Sequence, residues 1–377
     1  MAEEFTVNPW EVKGDINYEK LIKQFGLTPL KNVPEKLNEL AIFRRGIVFA
    51  HRDFDKISER IRTKKPFVMM TGLMPSGRFH FGHKMVAEQF IQYQKLGAKV
   101  YITVADIEAY VSRIPDLKEV RRIAIEEYLT NYVALGLNLD KCDFYFQSKR
   151  NKDGIKANAY YSLAALLSRH ATFNEFQAVY GEISPGKMSA SLLQASDMLH
   201  AQLPEFEGKL PVVVPVGTDQ DPHIRLARDM ASRINAAGTC NFDTLASTYH
   251  IFMPGLKGGK MSSSDPLSHI ALTETPKEAE TKIKKYAFSG GRATLEEHRK
   301  LGGNPDVDVS FQMLRYGLEP DDKKLAKIKE EYESGKLLSG EMKTLAVQKV
   351  CDFLEKHQQK RADAKDAVKQ YIQENDL

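Results

Sequence analysis

The chain has 377 residues, of which 54 are Lys or Arg and 50 are Asp or Glu, giving a formal net charge of +4. A chain of this length exceeds one typical core, so we expect at least two domains. Lys and Arg are interspersed with Asp and Glu nearly everywhere, so any contact with nucleic acid must come from folded patches and not from a basic tail. No apolar run approaches the roughly 20 residues of a membrane span, and the acidic N-terminus lacks the stretches of a signal peptide. We therefore expect a cytoplasmic protein that contacts no membrane.

The three cysteines, Cys142, Cys240 and Cys351, lie far apart and form no CxxC pair. This spacing indicates neither a disulfide framework nor a zinc cluster. We expect buried thiols and no protein-bound structural metal.

The first 62 residues carry few regular signals. A short helix is predicted between Asp15 and Gly26. The stretch FRRGIVF predicts a strand that leads into a helix near Asp53. These residues suggest no chemistry of their own, and we expect an appended segment packed on the neighbouring domain.

A strand, a loop, a helix and a second strand follow between Phe67 and Glu108. The apolar run at 67–70 predicts the first strand, an amphipathic segment from near Gly82 to Gly97 predicts the helix, and residues 99–104 predict the second strand. Together they form a βαβ unit. Its loop contains glycines and two histidines, His80 and His83, at the start of the helix, where backbone amides favour an anion.

Later segments extend the same pattern. Residues 117–135 predict a helix and CDFYFQ a third strand, and residues 150–205 predict a helical insertion rich in Ala, Ser and Leu. LPVVVPV reads as a strand covered on both faces, and GTDQ follows at its carboxyl end, where open parallel sheets bind ligands. YHIFMPGLKGGKMSSSDP is predicted to be a loop flanked by glycines.

From about Pro276 onward every predicted element is a helix. Apolar residues such as Met342, Ala346, Val350 and Leu354 recur at helical spacing in the last segment. We therefore predict an α/β fold with a Rossmann-type parallel sheet, a helical insertion and an all-α C-terminal domain. The expected boundaries are 1–62 for the appended segment, 63–270 for the nucleotide-binding domain with its insertion, and 271–377 for the helical domain.

PSGRFHFGH resembles the HIGH motif of class I aminoacyl-tRNA synthetases, with His80 and His83 at the two histidine positions. One isolated HxGH is equally typical of an ordinary loop, so a partner motif is required. KMSSS, at 260–264, is similar to the KMSKS motif of the same class. KMSAS also occurs at 187–191, but it leads directly into an apolar helical run, whereas Lys260 follows GTDQ and precedes the helical domain. We assign the catalytic loop to Lys260 and interpret Lys187 as a residue at the start of a helix.

The resemblance implies attack of an amino-acid carboxylate on the α-phosphate of ATP, with Mg²⁺ accompanying the nucleotide, and then transfer of the acyl group to tRNA. The nucleophile is already ionised, so catalysis depends on positioning and on charge stabilisation. The residues implied to be catalytic are His80, His83, Lys260, Ser262 and Ser263. The residues implied to bind ATP are Pro75, Ser76, Gly77, Gly82, Gly217, Asp219, Gln220 and Met261.

Within this class the chain is most similar to the tryptophanyl enzymes of archaea and eukaryotes. The similarity lies in NPW near the start, RRGIVFAHRDFD, GTDQDPHIRLARD, and the stretch from AFSGGR to DVDVSF. It implies a tryptophan-tRNA ligase that uses L-tryptophan, ATP and tRNA(Trp), and it implies a homodimer. The implied tryptophan-binding residues are Met70, Gly72, Thr103, Glu108, Gln194, Asp197 and Gln220.

Some positions depart from the eukaryotic pattern. That branch has tyrosine at the position of Met70 and glutamine at the position of Thr103, and both residues contact the indole there. Because neither is present here, Asp197 becomes the preferred candidate for accepting the indole N–H. Asp106 is an alternative to Glu108 as the partner of the substrate ammonium group. Ala293 stands where eukaryotic enzymes carry an anticodon-reading aspartate, so only the role of the helical domain is carried over.

Other functions remain open from the sequence. A tyrosyl-tRNA synthetase would share both motifs, although Met70 cannot bind a substrate hydroxyl as a tyrosine does. A small-molecule nucleotidyltransferase shares the HxGH loop but needs neither the KMSSS loop nor the helical domain. A catalytically silent RNA-binding relative should have lost a motif histidine or the loop lysine, and neither loss is seen.

Overall fold

The central element of the fold is a seven-stranded sheet. The structure, a computed structural model, describes residues 6–7, 12–13, 17–112, 114, 116–262 and 265–377. The NPW stretch at 8–10 and Ser263, both named above, lie outside the described residues. The strands are β1 (Thr6–Val7), β2 (Val12–Lys13), β3 (Thr28–Pro29), β4 (Val48–Arg52), β5 (Phe67–Leu73), β6 (Ala98–Val104), β7 (Cys142–Phe146), β8 (Val212–Gly217) and β9 (Ala246–His250).

The strand order in the sheet is β3-β4-β9-β8-β5-β6-β7, and β1 pairs with β2 separately. The five neighbouring strands from β9 to β7 are parallel to one another. At the other edge, β4 pairs antiparallel with β9, and β3 pairs antiparallel with β4. Parallel neighbours place their carboxyl ends along one edge, so the turns after β5, β6 and β8 lie side by side. These turns carry the histidine loop, Asp106 and the GTDQ stretch.

The helices cover both faces of the sheet and form the C-terminal region. They are α1 (Tyr18–Phe25), α2 (Ala41–Arg44), α3 (Asp55–Thr63), α4 (Phe81–Lys95), α5 (Asp106–Ser112), α6 (Leu117–Ile123), α7 (Thr130–Leu135), α8 (Gly154–Leu167), α9 (Phe173–Tyr180), α10 (Pro185–Leu199), α11 (Asp221–Ala236), α12 (Pro276–Tyr286), α13 (Leu295–Leu301), α14 (Val309–Met313), α15 (Asp322–Glu333) and α16 (Ser339–Glu374). A π-helical segment, Ala124–Leu129, joins α6 to α7.

The expected fold class is confirmed. The sheet is mixed and mostly parallel, with helices on both faces and a helical C-terminal region. The long helix α16 packs against α12 and also against α7, which lies earlier in the chain. Its predicted apolar stripe is buried at Met342, Ala346, Val350 and Leu354. The stripe therefore holds the helical region against the sheet-bearing region.

Two local predictions were wrong. FRRGIVF is not one strand, because residues 41–44 form α2 and the strand begins only at Val48. Tyr249 and His250, predicted to lie in a loop, belong to β9. This strand is buried along its whole length and pairs with β8 and β4, so neighbouring strands determine a conformation that its polar residues do not suggest.

Within the described residues, no helix is long and apolar enough to span a membrane.

Candidate active site

The histidine loop connects β5 to α4, and its two histidines cap the helix. Gly77 has a φ of 90°, a left-handed conformation that favours glycine. His80 is the N-cap of α4, and its Nδ1 accepts from the Gly82 amide at 3.1 Å. His83 Nδ1 accepts in turn from the His80 amide at 3.2 Å. Because each Nδ1 is an acceptor, each ring carries its proton on Nε2 and is left with a single N–H donor.

Both histidines are kept neutral by burial. Their rings stack with centroids 3.8 Å apart. Burial lowers the pKa of His80 well below its usual range and that of His83 to about 3, and the nearby charge of Lys260 acts in the same direction. Because both imidazoles are neutral at physiological pH, they can donate hydrogen bonds without the electrostatic repulsion that two stacked cations would experience.

The structure brings the KMSSS loop onto the histidine loop. Met261 is buried, and its sulfur lies 3.7 Å from where a Cβ on Gly82 would stand. His80 also forms an isolated antiparallel bridge with Ala271, and the rings of His80 and His269 lie 4.9 Å apart. The two motifs, separated by some 180 positions in the sequence, therefore share one cleft.

Lys260 lies over the GTDQ turn. Its Nζ forms an ion pair with Asp219 Oδ2 at 2.7 Å and stands 4.5 Å from the centre of the Phe252 ring. A Cβ on Gly217 would come within 2.6 Å of both Asp219 and Phe252, so a larger residue does not fit there without displacing them. Asp219 is buried whereas Gln220 is half-buried.

The remaining predicted ATP-binding and loop residues lie around the same cleft. Pro75 is buried, Ser76 half-buried and Gly77 exposed in the loop before His80. Ser262 uses its backbone within the loop, since its carbonyl accepts from the Ser268 hydroxyl at 2.9 Å and from His269 Nδ1 at 2.8 Å.

Asp197 lies at the centre of a buried polar network. Its Oδ1 accepts from the hydroxyls of Tyr145 at 2.7 Å and Tyr160 at 2.8 Å, and its Oδ2 accepts from Gln147 Nε2 at 2.8 Å. Burial raises the pKa of Asp197 to about 6 and outweighs the stabilising effect of these donors. These three donors use three of the roughly four acceptor sites of a carboxylate, and the Thr103 hydroxyl also interacts with Asp197.

Next to this carboxylate, Gln147 directs its amide nitrogen at Asp197, which leaves its buried Oε1 with no hydrogen-bond partner in the described part of the chain. Behind Tyr145 lies the fully buried guanidinium of Arg150, 3.8 Å from the ring centre and paired with Asp143 at 2.9 Å. The network is thus buried and lined by aromatic rings, and it includes one acceptor, Gln147 Oε1, that has no partner among the described residues.

The strand residues predicted to bind tryptophan share the face of the sheet that this network covers. Gly72 of β5, Thr103 of β6 and Tyr145 of β7 form one cross-strand row. Met70, two positions before Gly72, is buried in the same apolar cluster as Tyr145. A Cβ on Gly72 would lie 3.1 Å from Thr103, so the row leaves little room for a larger residue at position 72.

Asp106 and Glu108 differ clearly in environment. Asp106 is buried and accepts from the amides of Ile107 and Ser148, both at 3.0 Å, and from the Ser148 hydroxyl. This carboxylate joins the ends of β6 and β7, which makes it a structural residue. Glu108 and Gln194 are half-buried, so they are more accessible to a ligand than Asp106.

The second KMSAS copy lies elsewhere in a different setting. Lys187 is in the first turn of α10, where its amide bonds the Ser184 cap and its Nζ donates to the Glu182 carbonyl at 2.9 Å. It occupies the helix-start position predicted for it. Ala293 lies exposed in the C-terminal region. The three cysteines are free, and Cys142 is buried while Cys240 and Cys351 are half-buried.

Several residues at the site were not predicted. The most important are Tyr145, Gln147 and Tyr160 around Asp197, and Tyr128 beside His83. The alternation in CDFYFQ places Tyr145 and Gln147 on one face, so this signal was available in the sequence. Tyr160 and Tyr128 lie on helices remote in sequence, and local pattern does not reveal what they contact.

The cleft contains groups for binding a triphosphate and activating its α-phosphate. It combines a helix N-terminus, two neutral donors and the cation of Lys260, whose side chain is 39% exposed. No cluster of three or more His, Cys, Asp or Glu side chains suited to a metal ion occurs in the described ranges. These features define a class of protein that binds a nucleotide at the carboxyl edge of a parallel sheet and transfers an adenylyl group.

Comparison with known proteins identifies the family. The family described as "tRNA synthetases class I (W and Y)" matches residues 62–355, and the chain belongs to it. It is 45% identical over 364 residues to the tryptophan–tRNA ligase of Aeropyrum pernix, covering 95% of each chain. It is 44% identical to that of Methanocaldococcus jannaschii, covering 96% of this chain and 97% of the relative.

Solved structures agree with these relatives. The tryptophanyl-tRNA synthetase of Aeropyrum pernix superposes with a TM-score of 0.87 at 45% identity, covering 94% of this chain and 96% of that one. That of Plasmodium falciparum gives a TM-score of 0.83 at 31% identity, covering 95% and 97%.

Proposed function

We propose that the chain is a tryptophan–tRNA ligase, which activates L-tryptophan with ATP and transfers it to tRNA(Trp). Tryptophan–tRNA ligases that are 44–45% identical over nearly the whole chain support this function. The observation that carries the chemistry is the shared cleft of the histidine loop and Lys260 beside a network centred on Asp197.

In the activation step, a carboxylate oxygen of tryptophan forms a bond to the α-phosphorus of ATP, and the bond from that phosphorus to the β-phosphate bridging oxygen breaks. The products are tryptophanyl-adenylate and pyrophosphate. The Nε2–H groups of His80 and His83 and the amides at the start of α4 stabilise negative charge on the phosphates. Lys260 moves from Asp219 to the leaving pyrophosphate, and Ser262 and Ser263 add hydroxyl donors.

Asp219 and Gln220 then hold the ribose hydroxyls, and Pro75, Ser76, Gly77, Gly82, Gly217 and Met261 shape the nucleotide site. Gly82 supports this role because a Cβ there would lie 3.0 Å from the His80 ring. Mg²⁺ enters with the phosphates of ATP, whose oxygens suit its octahedral preference, and supplies further charge stabilisation when bound.

In the transfer step, a hydroxyl of the terminal ribose of tRNA attacks the acyl carbon of the adenylate. The ester bond to tRNA forms, the mixed anhydride bond breaks, and AMP leaves with the electron pair. The hydroxyl becomes strongly acidic as its oxygen bonds to the acyl carbon, so its proton passes to an oxygen of the leaving phosphate or to solvent.

Tryptophan recognition depends on the hydrogen-bonding groups of its side chain. The indole N–H only donates, so a selective slot needs one acceptor among apolar walls. Asp197 supplies an acceptor, as does Gln147 Oε1, which has no partner among the residues that the structure describes, and Met70 supplies an apolar, polarisable wall. Glu108 and Gln194 face the ammonium and polar end of the substrate in this proposal, with Gly72, Thr103 and Gln220 completing the slot.

We further propose that the chain divides at 62 and 270, with the region after 270 contacting the tRNA anticodon arm, and that it works as a homodimer in the cytoplasm, where tRNA is charged. The first 62 residues extend the catalytic sheet through β3 and β4. The insertion supports the dimer, because Ile155, Leu166 and Phe173 on α8 and α9 are 73%, 48% and 59% exposed.

Acylation of tRNA tests the proposal directly. The chain is incubated with ATP, Mg²⁺, a tRNA(Trp) transcript and labelled tryptophan or tyrosine. We expect label from tryptophan to appear on the tRNA through an alkali-labile ester. Label from tyrosine alone would identify a tyrosyl enzyme, and tRNA binding without any acylation would identify a silent relative.

A further inference from the structure

The π-helical segment between α6 and α7 lies against the catalytic histidine loop. Helices with π geometry are rare and often mark functional sites. Glu127 and Tyr128 in this segment both contact the loop. Glu127 Oε2 accepts from the Phe79 amide at 3.2 Å, directly before His80. The Tyr128 hydroxyl stands 3.5 Å from His83 Nε2 and contacts the backbone of Ser76.

The C-terminal helix α16 also contacts this π-helical segment through hydrogen bonds and an ion pair. Arg361 Nη2 donates to the Glu126 carbonyl at 2.7 Å and lies 3.8 Å from Glu127 Oε1. His357 Nε2 donates to Asn131 Oδ1 at 2.7 Å, and the Asn131 amide bonds the Glu127 carbonyl. Glu127 therefore stands between the catalytic loop and a helix of the C-terminal region.

A second connection reaches the same peptide unit from its carbonyl side. The Phe79 carbonyl accepts from the Leu272 amide at 2.8 Å. The Leu272 carbonyl accepts in turn from Gln358 Nε2 of α16 at 3.2 Å. Both polar groups of Phe79 are thus held by residues that α16 contacts, one through Glu127 and one through Leu272.

We propose that Glu127 is a positioning residue that fixes the histidine loop through the Phe79 amide, and that Arg361 makes this constraint depend on docking of the C-terminal helix. The inference rests on the proposed function for its kinetic readout. Glu127 touches neither substrate in this account. It acts by holding His80 and His83 where their Nε2–H groups meet the phosphates, and small displacements of such groups reduce the rate steeply.

Four variants test this proposal. Glu127→Ala removes the acceptor and the charge, whereas Glu127→Gln keeps an acceptor for the Phe79 amide. Arg361→Ala removes the contact from α16. The matched control is Glu126→Ala, because the Glu126 side chain is 56% exposed and pairs with Arg122, while its contact to Arg361 is through the backbone carbonyl and survives.

Tryptophan-dependent ATP–pyrophosphate exchange is measured for each variant. We expect Glu127→Ala to lower kcat about tenfold with KM for ATP changed less than about twofold, because a misplaced loop weakens transition-state contacts more than ground-state binding. Glu127→Gln should restore most of the rate, and Glu126→Ala should equal the wild type. A double variant that combines Glu127→Ala with Arg361→Ala should lose no more rate than Glu127→Ala alone.

Hydrogen exchange of the Phe79 amide separates this inference from the proposed function, because it requires no activity. Exchange should speed up in Glu127→Ala and Arg361→Ala and stay slow in Glu126→Ala and Glu127→Gln. A wild-type chain that lacks tryptophan-dependent exchange activity would overturn the proposed function alone. Equal Phe79 protection in Glu127→Ala and Glu126→Ala, or a loss of rate in Glu127→Gln equal to that in Glu127→Ala, would overturn the positioning role.

Discussion

Lys260 Nζ and Asp219 Oδ2 lie 2.7 Å apart, so the lysine of one motif rests on the carboxylate that is proposed to bind the ribose of ATP. The lysine is more than a third exposed while the carboxylate is buried, so the cation is the partner free to move. In the proposed mechanism, ribose hydroxyls that bind Asp219 compete with Lys260 for this carboxylate. ATP binding would then release the cation toward the phosphates.

This relationship predicts a large effect of Lys260→Ala on catalysis. We expect kcat for pyrophosphate exchange to fall by roughly 10²-fold, the loss typical of removing one group that stabilises transition-state charge. Lys260→Arg should retain part of the rate. Lys187→Ala is the matched control, because Lys187 is the same residue type in the KMSAS copy. A similar loss in both alanine variants would contradict the choice of Lys260.

The network around Asp197 predicts a selective effect on tryptophan. Asp197→Asn replaces the charged acceptor of the indole N–H by a neutral amide. A hydrogen bond to a charged group contributes about 1.5–3 kcal/mol to the free energy of an interaction. KM for tryptophan should rise roughly tenfold or more, with KM for ATP nearly unchanged. Steady-state exchange kinetics measure both constants.

A substrate analogue provides the control for that variant. 1-Methyltryptophan lacks the indole N–H, so the wild type should use it poorly. The preference for tryptophan over the analogue should shrink in Asp197→Asn. If the variant keeps the full preference, another group reads the indole.

The buried histidines predict how stability depends on pH. Burial lowers the pKa values of His83 and His250 to about 3 and that of His223 to about 4, from an ordinary 6.5. Between pH 6.5 and about 4 these histidines are protonated in the unfolded chain but not in the folded chain, so the free energy of unfolding falls as the pH falls. Each histidine lowers the free energy of unfolding by up to about 1.4 kcal/mol per pH unit.

Asp197 opposes this trend, because its folded pKa of about 6 lies above the ordinary 3.8 and favours the folded state at low pH. One carboxyl does not offset three imidazoles, so stability should still rise from pH 4 to 6.5. Urea unfolding at several pH values measures the slope, and His250→Asn should flatten it. An equal slope in this variant and the wild type would show that His250 contributes nothing to it.

The insertion predicts where two copies meet. Leu166→Asp, on α8, should convert a dimer into a monomer in light-scattering measurements, because a charge on an apolar interface opposes its burial. Leu295→Asp serves as the control, since Leu295 is 61% exposed on α13 of the C-terminal region. A wild-type monomer, or dissociation by Leu295→Asp alone, would refute this location.

The sequence revealed the parts of this molecule whose patterns are local. The βαβ unit, the buried strand LPVVVPV and the predicted C-terminal helices follow from apolar patterns, and the structure contains them as β5 to β6, β8, α12 and α14 to α16. β9 was missed because its residues Ser247, Thr248 and His250 are polar, and only the pairing with β8 and β4 explains their burial.

The site shows the same division. His80, His83 and Lys260 lie in two sequence motifs and were predicted from them, although their approach to one another depends on the fold. Glu127 could not be found, because its partners Phe79 and Arg361 are 48 and 234 positions away. Such residues become visible only when helices distant in sequence are packed together.

The most direct test of the central claim is ATP–pyrophosphate exchange by the purified chain with Mg²⁺ and each amino acid in turn. One cleft formed by the histidine loop and Lys260, beside an acceptor-lined slot, predicts rapid exchange with tryptophan and little with tyrosine. Exchange that depends on tyrosine, or exchange with neither amino acid, would contradict it.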